Sequence, residues 1–187
     1  MSPIPKSLMK SPIGARPELQ ATTLEDGLNV FRCPEGGGIY ITLENYWKWK
    51  QAKGGVVEEE VVLEKDFPVS EYDEAVKICP ESGTLMSRYR VGHGLSFRVD
   101  RSITGGVWLD AGEWEALHAN GIHRNLHLVF TAPWQKAVIS EEQTALYNER
   151  LRNRLGDAFY QELTTLREKI WSHPLSAEIF AYLQAKH

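Results

Sequence analysis

The sequence predicts an α+β chain: two copies of a small β unit, each followed by a short helix, and then a C-terminal helical hairpin. Three observations predict it. One segment recurs at a fixed offset, each copy passes from a strand-like to a helix-like pattern within a dozen residues, and the last third carries apolar residues every three or four positions.

The recurring segment is Gly105-Gly106-Val107-Trp108-Leu109-Asp110, which leads into Glu113, Trp114 and Leu117. Residues 37–46 match it 68 positions earlier: Gly37 and Gly38 stand for Gly105 and Gly106, Ile39 for Val107, Tyr40 for Trp108, Ile41 for Leu109, and Tyr46 for Trp114. Each copy reads as a glycine turn, a three-residue apolar strand and a helix. Asp110 and Glu113 have the spacing of a capping box, and Thr42 supplies a cap of the same kind at the position of Asp110. Asn120-Gly121 marks the end of one helix, and Gly54-Gly55 marks the end of the other, after Lys53.

Taken in order, residues 1–18 hold four of the nine prolines and read as an extended or partly ordered arm. Gly27 turns into a strand at 28–31, and Cys33-Pro34-Glu35-Gly36 is a sharp turn before the strand at 39–41 and the aromatic helix. The first unit spans 1–55. Residues 56–76 read as a β-prone stretch at 56–63 followed by a charged linker. The second unit spans 77–139, with strands at 85–91 and 95–99 joined by Gly92-His93-Gly94, a helix at 111–119, and strand character at 125–130 that Pro133-Trp134 ends. In 140–187, Ser140 and Gln143 suggest a cap. Tyr147, Leu151, Leu155, Phe159, Leu163, Leu166 and Ile170 then form one stripe on a helix of roughly eight turns. Ser172-His173-Pro174 interrupts it before a second short helix through Ile179 and Leu183.

The second copy also carries Cys79-Pro80-x-Ser82-Gly83 ahead of its two strands, and Arg101-x-x-Thr104 directly before Gly105-Gly106. Over about residues 77–118 this resembles the bacterial zinc ribbons of the transcription factor IIB type, in which two Cys-x-x-Cys knuckles bind zinc and the second is followed by Gly-Gly-Val-Trp-Leu-Asp and a short helix. The resemblance implies four ligand positions, which fall here on Cys79, Ser82, Arg101 and Thr104. In the first copy they fall on Ser11, Gly14, Cys33 and Gly36. One thiolate per copy, with a guanidinium that has no lone pair to give, does not hold zinc. The chain therefore reads as a tandem degenerate pair, two zinc-ribbon-like relics for which no cofactor is expected, zinc included. A structural zinc contributes on the order of 10–16 kcal/mol to a small finger. Its loss predicts replacement by aromatic packing between the repeats, hence one compact body.

Function is read by elimination. A net charge of −4 gives no electrostatic pull toward duplex nucleic acid or an anionic membrane. Two cysteines and no apolar run in MSPIPKSLMK lead to the expectation of a cytoplasmic chain with no membrane partner. His118, His123 and His127 are a further metal candidate, but a helix ending at Asn120 and an extended 125–130 would scatter them, so they read as ordinary surface or core histidines. Cys33 and Cys79 read as buried relics. Asp100, Asp110, Glu113 and His93 are the only polar groups near the repeat core to weigh for catalysis. No nucleophile elbow, phosphate loop or carboxylate pair accompanies them, and no enzyme activity is expected. The expectation is a non-catalytic protein-interaction or assembly module that binds a protein partner or itself through Tyr147, Leu151, Leu155 and Phe159. The alternative is a single-stranded nucleic-acid-binding or transcription-associated zinc-ribbon-like protein using Trp47 and Trp49 with the neighbouring lysines.

Overall fold

The computed structural model of the chain describes residues 9–24, 26–53 and 67–185. The expected stretch at 56–63, the start of the charged linker, the first half of the N-terminal arm and the Gly54-Gly55 helix stop lie outside them. The fold is α+β, and the chain divides into two units after Val138.

The first unit is built on one antiparallel sheet of six strands: β1 (Gln20–Thr23), β2 (Asn29–Arg32), β3 (Ile39–Ile41), β4 (Ser87–Gly92), β5 (Leu95–Arg101) and β6 (Val107–Leu109). Their order in the sheet is β1-β2-β3-β6-β5-β4. Each repeat contributes a three-stranded meander, and the meanders join through β3 and β6, the strands that the 68-residue offset makes equivalent. The register sets Ile39 opposite Leu109, Tyr40 opposite Trp108 and Ile41 opposite Val107. Tyr40 thus faces its own counterpart, so a local two-fold relation passes through that pair and turns a tandem repeat into a continuous sheet.

Strand alternation divides the two faces. Ile39, Ile41, Val107 and Leu109 lie in the larger core, with Leu28, Val30, Leu95, Phe97 and Val99 from the other strands and Trp49, Trp114, Leu117 and Leu126 from the helices that cover that face. Those helices are α1 (Leu43–Ala52), α2 (Glu113–Ala119) and α3 (Leu126–Val129). Tyr40 and Trp108 point to the other face, into a smaller core with Ile13, Leu19, Cys33 and Cys79.

Thr42 caps α1 as expected, its hydroxyl accepting from the Asn45 amide at 3.2 Å. At α2 only half of the expected box forms. The Glu113 carboxylate accepts from the Asp110 amide at 2.8 Å, but Asp110 has other partners and Gly112 is the cap residue. In the described part of the N-terminal arm Lys10 and Glu18 pair across a loop that turns at Gly14, so that part is ordered. Residues 125–130 are not a strand; a short helical turn at His123–Asn125 runs into α3. There His127 and Phe130 pack against rings of other elements instead of alternating across a sheet.

The next helix, α4 (Ala132–Leu155), starts eight residues before the expected cap at Ser140, with Pro133 in its first turn, where the missing amide costs no hydrogen bond. Its first turns belong to the sheet unit: the Trp134 indole donates to the Val91 carbonyl at 2.9 Å, and Val138 is fully buried. The stripe expected on one helix is divided between two, because Gly156 adopts φ 80°, ψ 154°, and α5 (Asp157–Trp171) begins after it. In the second unit α5 and α6 (Ser176–Gln184) pack Trp171 against Phe180, ring centroids 5.2 Å apart, and Ile170 is the buried apolar residue. No helix among the described residues is long and apolar enough to cross a membrane.

The central pairing makes a sharp demand on two glycines. A Cβ at Gly106 would overlap the Tyr40 hydroxyl, and one at Gly38 would overlap the Trp108 ring and lie 2.9 Å from the Leu109 carbonyl oxygen. Gly38→Ala and Gly106→Ala should each lower the unfolding free energy by about 1–3 kcal/mol in urea titrations followed by Trp fluorescence. Unchanged midpoints would contradict the close approach.

Candidate functional site

The smaller core is where the four-residue knuckle positions of both repeats come together. In the second repeat Cys79 ends a short bridge between Ile78 and Leu85, and its amide donates to the Thr84 carbonyl at 2.8 Å. Its sulfur accepts from the backbone amides of Glu81 and Ser82, each at 3.3 Å, and from the Ser102 hydroxyl at 2.8 Å. Burial pushes the Cys79 thiol up, but the bonds from Ser102, Ser82 and Tyr40 outweigh it and leave the thiol below its ordinary value. Around the sulfur a closed polar network forms. The Tyr40 and Thr104 hydroxyls both donate to Glu81 Oε2 at 2.6 Å, and Thr104 Oγ1 lies 3.0 Å from Ser102 Oγ. Burial and the bond to Glu81 push the Tyr40 hydroxyl well above the usual tyrosine range, so it remains a donor.

Arg101 is not part of this network. The turn from Ser102 to Gly106 closes with the Ser102 amide on the Gly106 carbonyl, whereas in the first repeat the Cys33 amide reaches Gly38, one residue further along the turn. The shorter turn sets Ser102 beside Cys79, and Arg101 instead lies over the Phe130 ring, 5.1 Å from its centroid. Ser82, the other expected ligand position, pairs its hydroxyl with Thr84 at 2.8 Å.

The first repeat builds the same frame with different filling. Ser11 sits 68 residues before Cys79, is fully buried, and sends its amide to the Pro17 carbonyl at 2.8 Å as Cys79 does to Thr84. Cys33 Sγ accepts from the Gly36 amide at 3.4 Å. Ile13 occupies the space between them: its Cδ1 would stand 2.8 Å from a Cβ at Gly36. Neither set of positions fits zinc. One offers a single thiol enclosed by hydroxyls and a carboxylate already bonded to one another, and the other is plugged by an isoleucine.

The polar residues weighed for catalysis serve the fold. Lys77, with its side chain fully buried, holds its ammonium 2.8 Å from Asp100 and 3.2 Å from Asp110 and donates to the Tyr72 carbonyl at 2.9 Å. Asp110 also accepts from the Trp108 indole at 2.6 Å. Burial, with the Asp110 charge beside it, pushes Glu113 up to about 9, so it stays protonated at neutral pH. His93 stacks edge-on against Trp134 with centroids 4.6 Å apart. Sequence reasoning missed Lys77 altogether, because a lysine beside Ile78 and Cys79 carries no signal that it turns inward.

The expected interaction residues divide. Trp47 is 38% exposed, but Trp49 is core, its indole donating to the Asp26 carbonyl at 3.2 Å, which removes it as an interaction residue. Lys48 pairs with Glu44 at 2.5 Å, and Lys50 donates to the Arg124 carbonyl at 2.8 Å, so these two lysines beside Trp47 are engaged. Tyr147 and Phe159 are exposed, while Leu151 and Leu155 are half-buried. His127 separates from the other candidate histidines, its Nδ1 lying 2.9 Å from the Tyr46 hydroxyl. His118 and His123 stack on each other at 4.2 Å. Comparison with protein-family models, with curated proteins and with solved structures finds no match to the chain.

Two outcomes check the buried charges. Lys77→Met removes the cation shared by two buried carboxylates, leaving Asp100 with the Arg88 guanidinium at 3.7 Å, and should cost about 3–5 kcal/mol in chemical denaturation. Glu113 is raised from 4.5 to about 9 in the native state, so between those values the unfolded chain releases a proton that the folded chain keeps. Its contribution is complete at the acidic end of that window and is lost as pH rises through it. Glu113→Gln should therefore remove a fall in stability between about pH 5 and about pH 8, read from urea midpoints at both. An unchanged slope would show that Glu113 ionises normally.

Proposed function

We propose that this chain is a non-catalytic protein-interaction or assembly module: a relative of the zinc ribbons whose metal positions have been filled by packing and hydrogen bonds, carrying a helical unit for association. The observation that carries the reading is the apolar surface of that unit. Phe159, Leu163 and Leu166 on α5 are 51%, 37% and 48% exposed, and Trp171, Leu175, Tyr182 and Leu183 are exposed after them. Large apolar side chains grouped in this way on helices mark partner surfaces in soluble proteins, and an amphipathic helix presenting anchors three and four residues apart is a common docking element.

The rest of the molecule agrees with a supporting role. Its buried lysine and acids are engaged within the second repeat, and Cys79 meets Tyr40 of the first, as expected of a scaffold. The alternative, a single-stranded nucleic-acid-binding or transcription-associated protein, draws on Trp47 with Lys50 at 5.8 Å from its ring centroid. A lone partly exposed ring, with its lysines engaged, is less than a stacking platform needs.

Self-association through α5 is the form tested first. The chain should show a mass that rises with concentration in sedimentation equilibrium. Phe159→Glu with Leu166→Glu, both at exposed positions that leave the helix intact by circular dichroism, should weaken association at least about tenfold. A chain monomeric at every concentration that binds a labelled single strand, loses that binding with added salt and loses it again on Trp47→Ala would decide for the alternative.

A further inference from the structure

The two stacked histidines have a third neighbour that no sequence spacing announces. Asp26, in the turn between β1 and β2 of the first repeat, lies with His118, at the end of α2, and His123, in the helical turn that follows. One ligand atom from each falls within 4.8 Å of the others. Two of these residues each hold a buried side-chain atom without a hydrogen-bond partner: Asp26 Oδ2 and His123 Nδ1. Leaving such atoms unsatisfied is costly, and a cation held among these three residues would give them a partner.

We propose that Asp26, His118 and His123 bind a divalent transition-metal ion, with zinc as the first candidate, and that the ion clamps the turn of the first repeat to the helix end of the second.

The donors are prepared for it. His123 is 2% exposed and packs against both Trp49 and Trp114, ring centroids 5.9 and 5.8 Å away. Its ring is hydrogen-bonded to the Leu117 backbone, and Nδ1 has no partner. This is the device that fixes the tautomer of a ligating histidine and leaves the other nitrogen's lone pair bare. Asp26 is oriented in the same way: its Oδ1 accepts from the Leu28 amide at 3.3 Å, which leaves Oδ2 as the free oxygen. His118 is exposed on the last turn of α2 and has the rotameric freedom to close the set to the roughly 3.3 Å that separates ligands in a tetrahedral zinc site. Two imidazoles and a carboxylate select zinc and its neighbours over calcium or magnesium, which take all-oxygen shells.

Asp26 and His118 also line a cleft of about 510 Å³ that Arg32, Trp114 and Glu115 help to form. Three protein ligands fill three positions of a tetrahedral ion, so the fourth faces that cleft, where water or an anionic group attracted by Arg32 completes the shell.

The test uses the full chain freed of metal with a chelator. Zinc titrated by calorimetry should bind one ion per chain and raise the melting temperature. Asp26→Asn and His118→Gln, at positions that leave the circular dichroism unchanged, should each weaken binding at least about tenfold and abolish the thermal shift. Cobalt in place of zinc should give visible ligand-field bands without the charge-transfer band of a thiolate. Absence of binding, binding that both variants leave untouched, or a thiolate band that disappears with Cys79→Ser would each overturn the proposal, the last by locating the metal at the knuckle. None of these readouts depends on association through α5, so this inference and the proposed function fail separately.

Discussion

The first unit depends on the exchange made at the middle of its sheet. Tyr40 and Trp108 are equivalent residues of the two repeats and stand opposite each other in the pairing of β3 with β6, yet each completes the other repeat. Tyr40 passes over Gly106 to reach Glu81, Thr104 and Cys79, while Trp108 lies over Gly38. A repeat folded alone would lose the ring that fills its own knuckle and would present β3 or β6 as a bare edge. The interaction that joins the repeats is therefore also the one that closes each of them, and the two fold as a unit.

That exchange explains how one frame tolerates opposite fillings. The central aromatic residues bring different chemistry to the two knuckles. Tyr40 brings a hydroxyl, and the pocket it enters answers with Glu81, Thr104, Ser102 and Cys79 in a network where each buried donor finds an acceptor. Trp108 keeps its one polar atom for Asp110 and presents only carbon to the first repeat, where Ile13 and Leu19 are its neighbours. On the zinc-ribbon reading, the binding energy a metal would supply is replaced by two separate solutions, hydrogen bonds on one side and apolar burial on the other. The Lys77 ammonium then ties the flank of the second knuckle to the ends of β5 and β6 through Asp100 and Asp110.

The sequence made the repeat, the strands at 39–41 and 107–109 and their helices legible, because a three-residue apolar strand between a double glycine and a helix cap is a local pattern. The β4–β5 hairpin was legible for the same reason. What it hid was non-local or depended on one torsion. The stripe from Tyr147 to Ile170 keeps its period straight through Gly156, and only the positive φ adopted there divides it into two helices. Residues 125–130 alternate well enough for a strand, but they follow a helix end and pack rings on Tyr46 and Tyr89, and tertiary contact overrides the pattern. Ser102 replaced Arg101 beside Cys79 because the second turn is one residue shorter, a difference that a fixed 68-residue offset conceals. Asp26 carried no signal of its own, since nothing in the sequence places it against His118 and His123.

The second unit poses the opposite problem from the first. An isolated helix of about 12–15 residues is marginal in water, and α5 has 15 residues with Ile170 as its buried side chain. The contact of Trp171 with Phe180 secures its last turn to α6, but the turns that carry Phe159, Leu163 and Leu166 gain little from it. Helical stability in proteins comes mainly from burying an amphipathic face, and here that face is formed but left largely in water. The sheet unit, by contrast, buries its own apolar core and pairs Lys77 with Asp100 and Asp110 internally. Cover supplied by another chain over Phe159, Leu163 and Leu166 would therefore stabilise α5, whose apolar face has little other burial. On the proposed reading, association and the final ordering of the second unit are then one event.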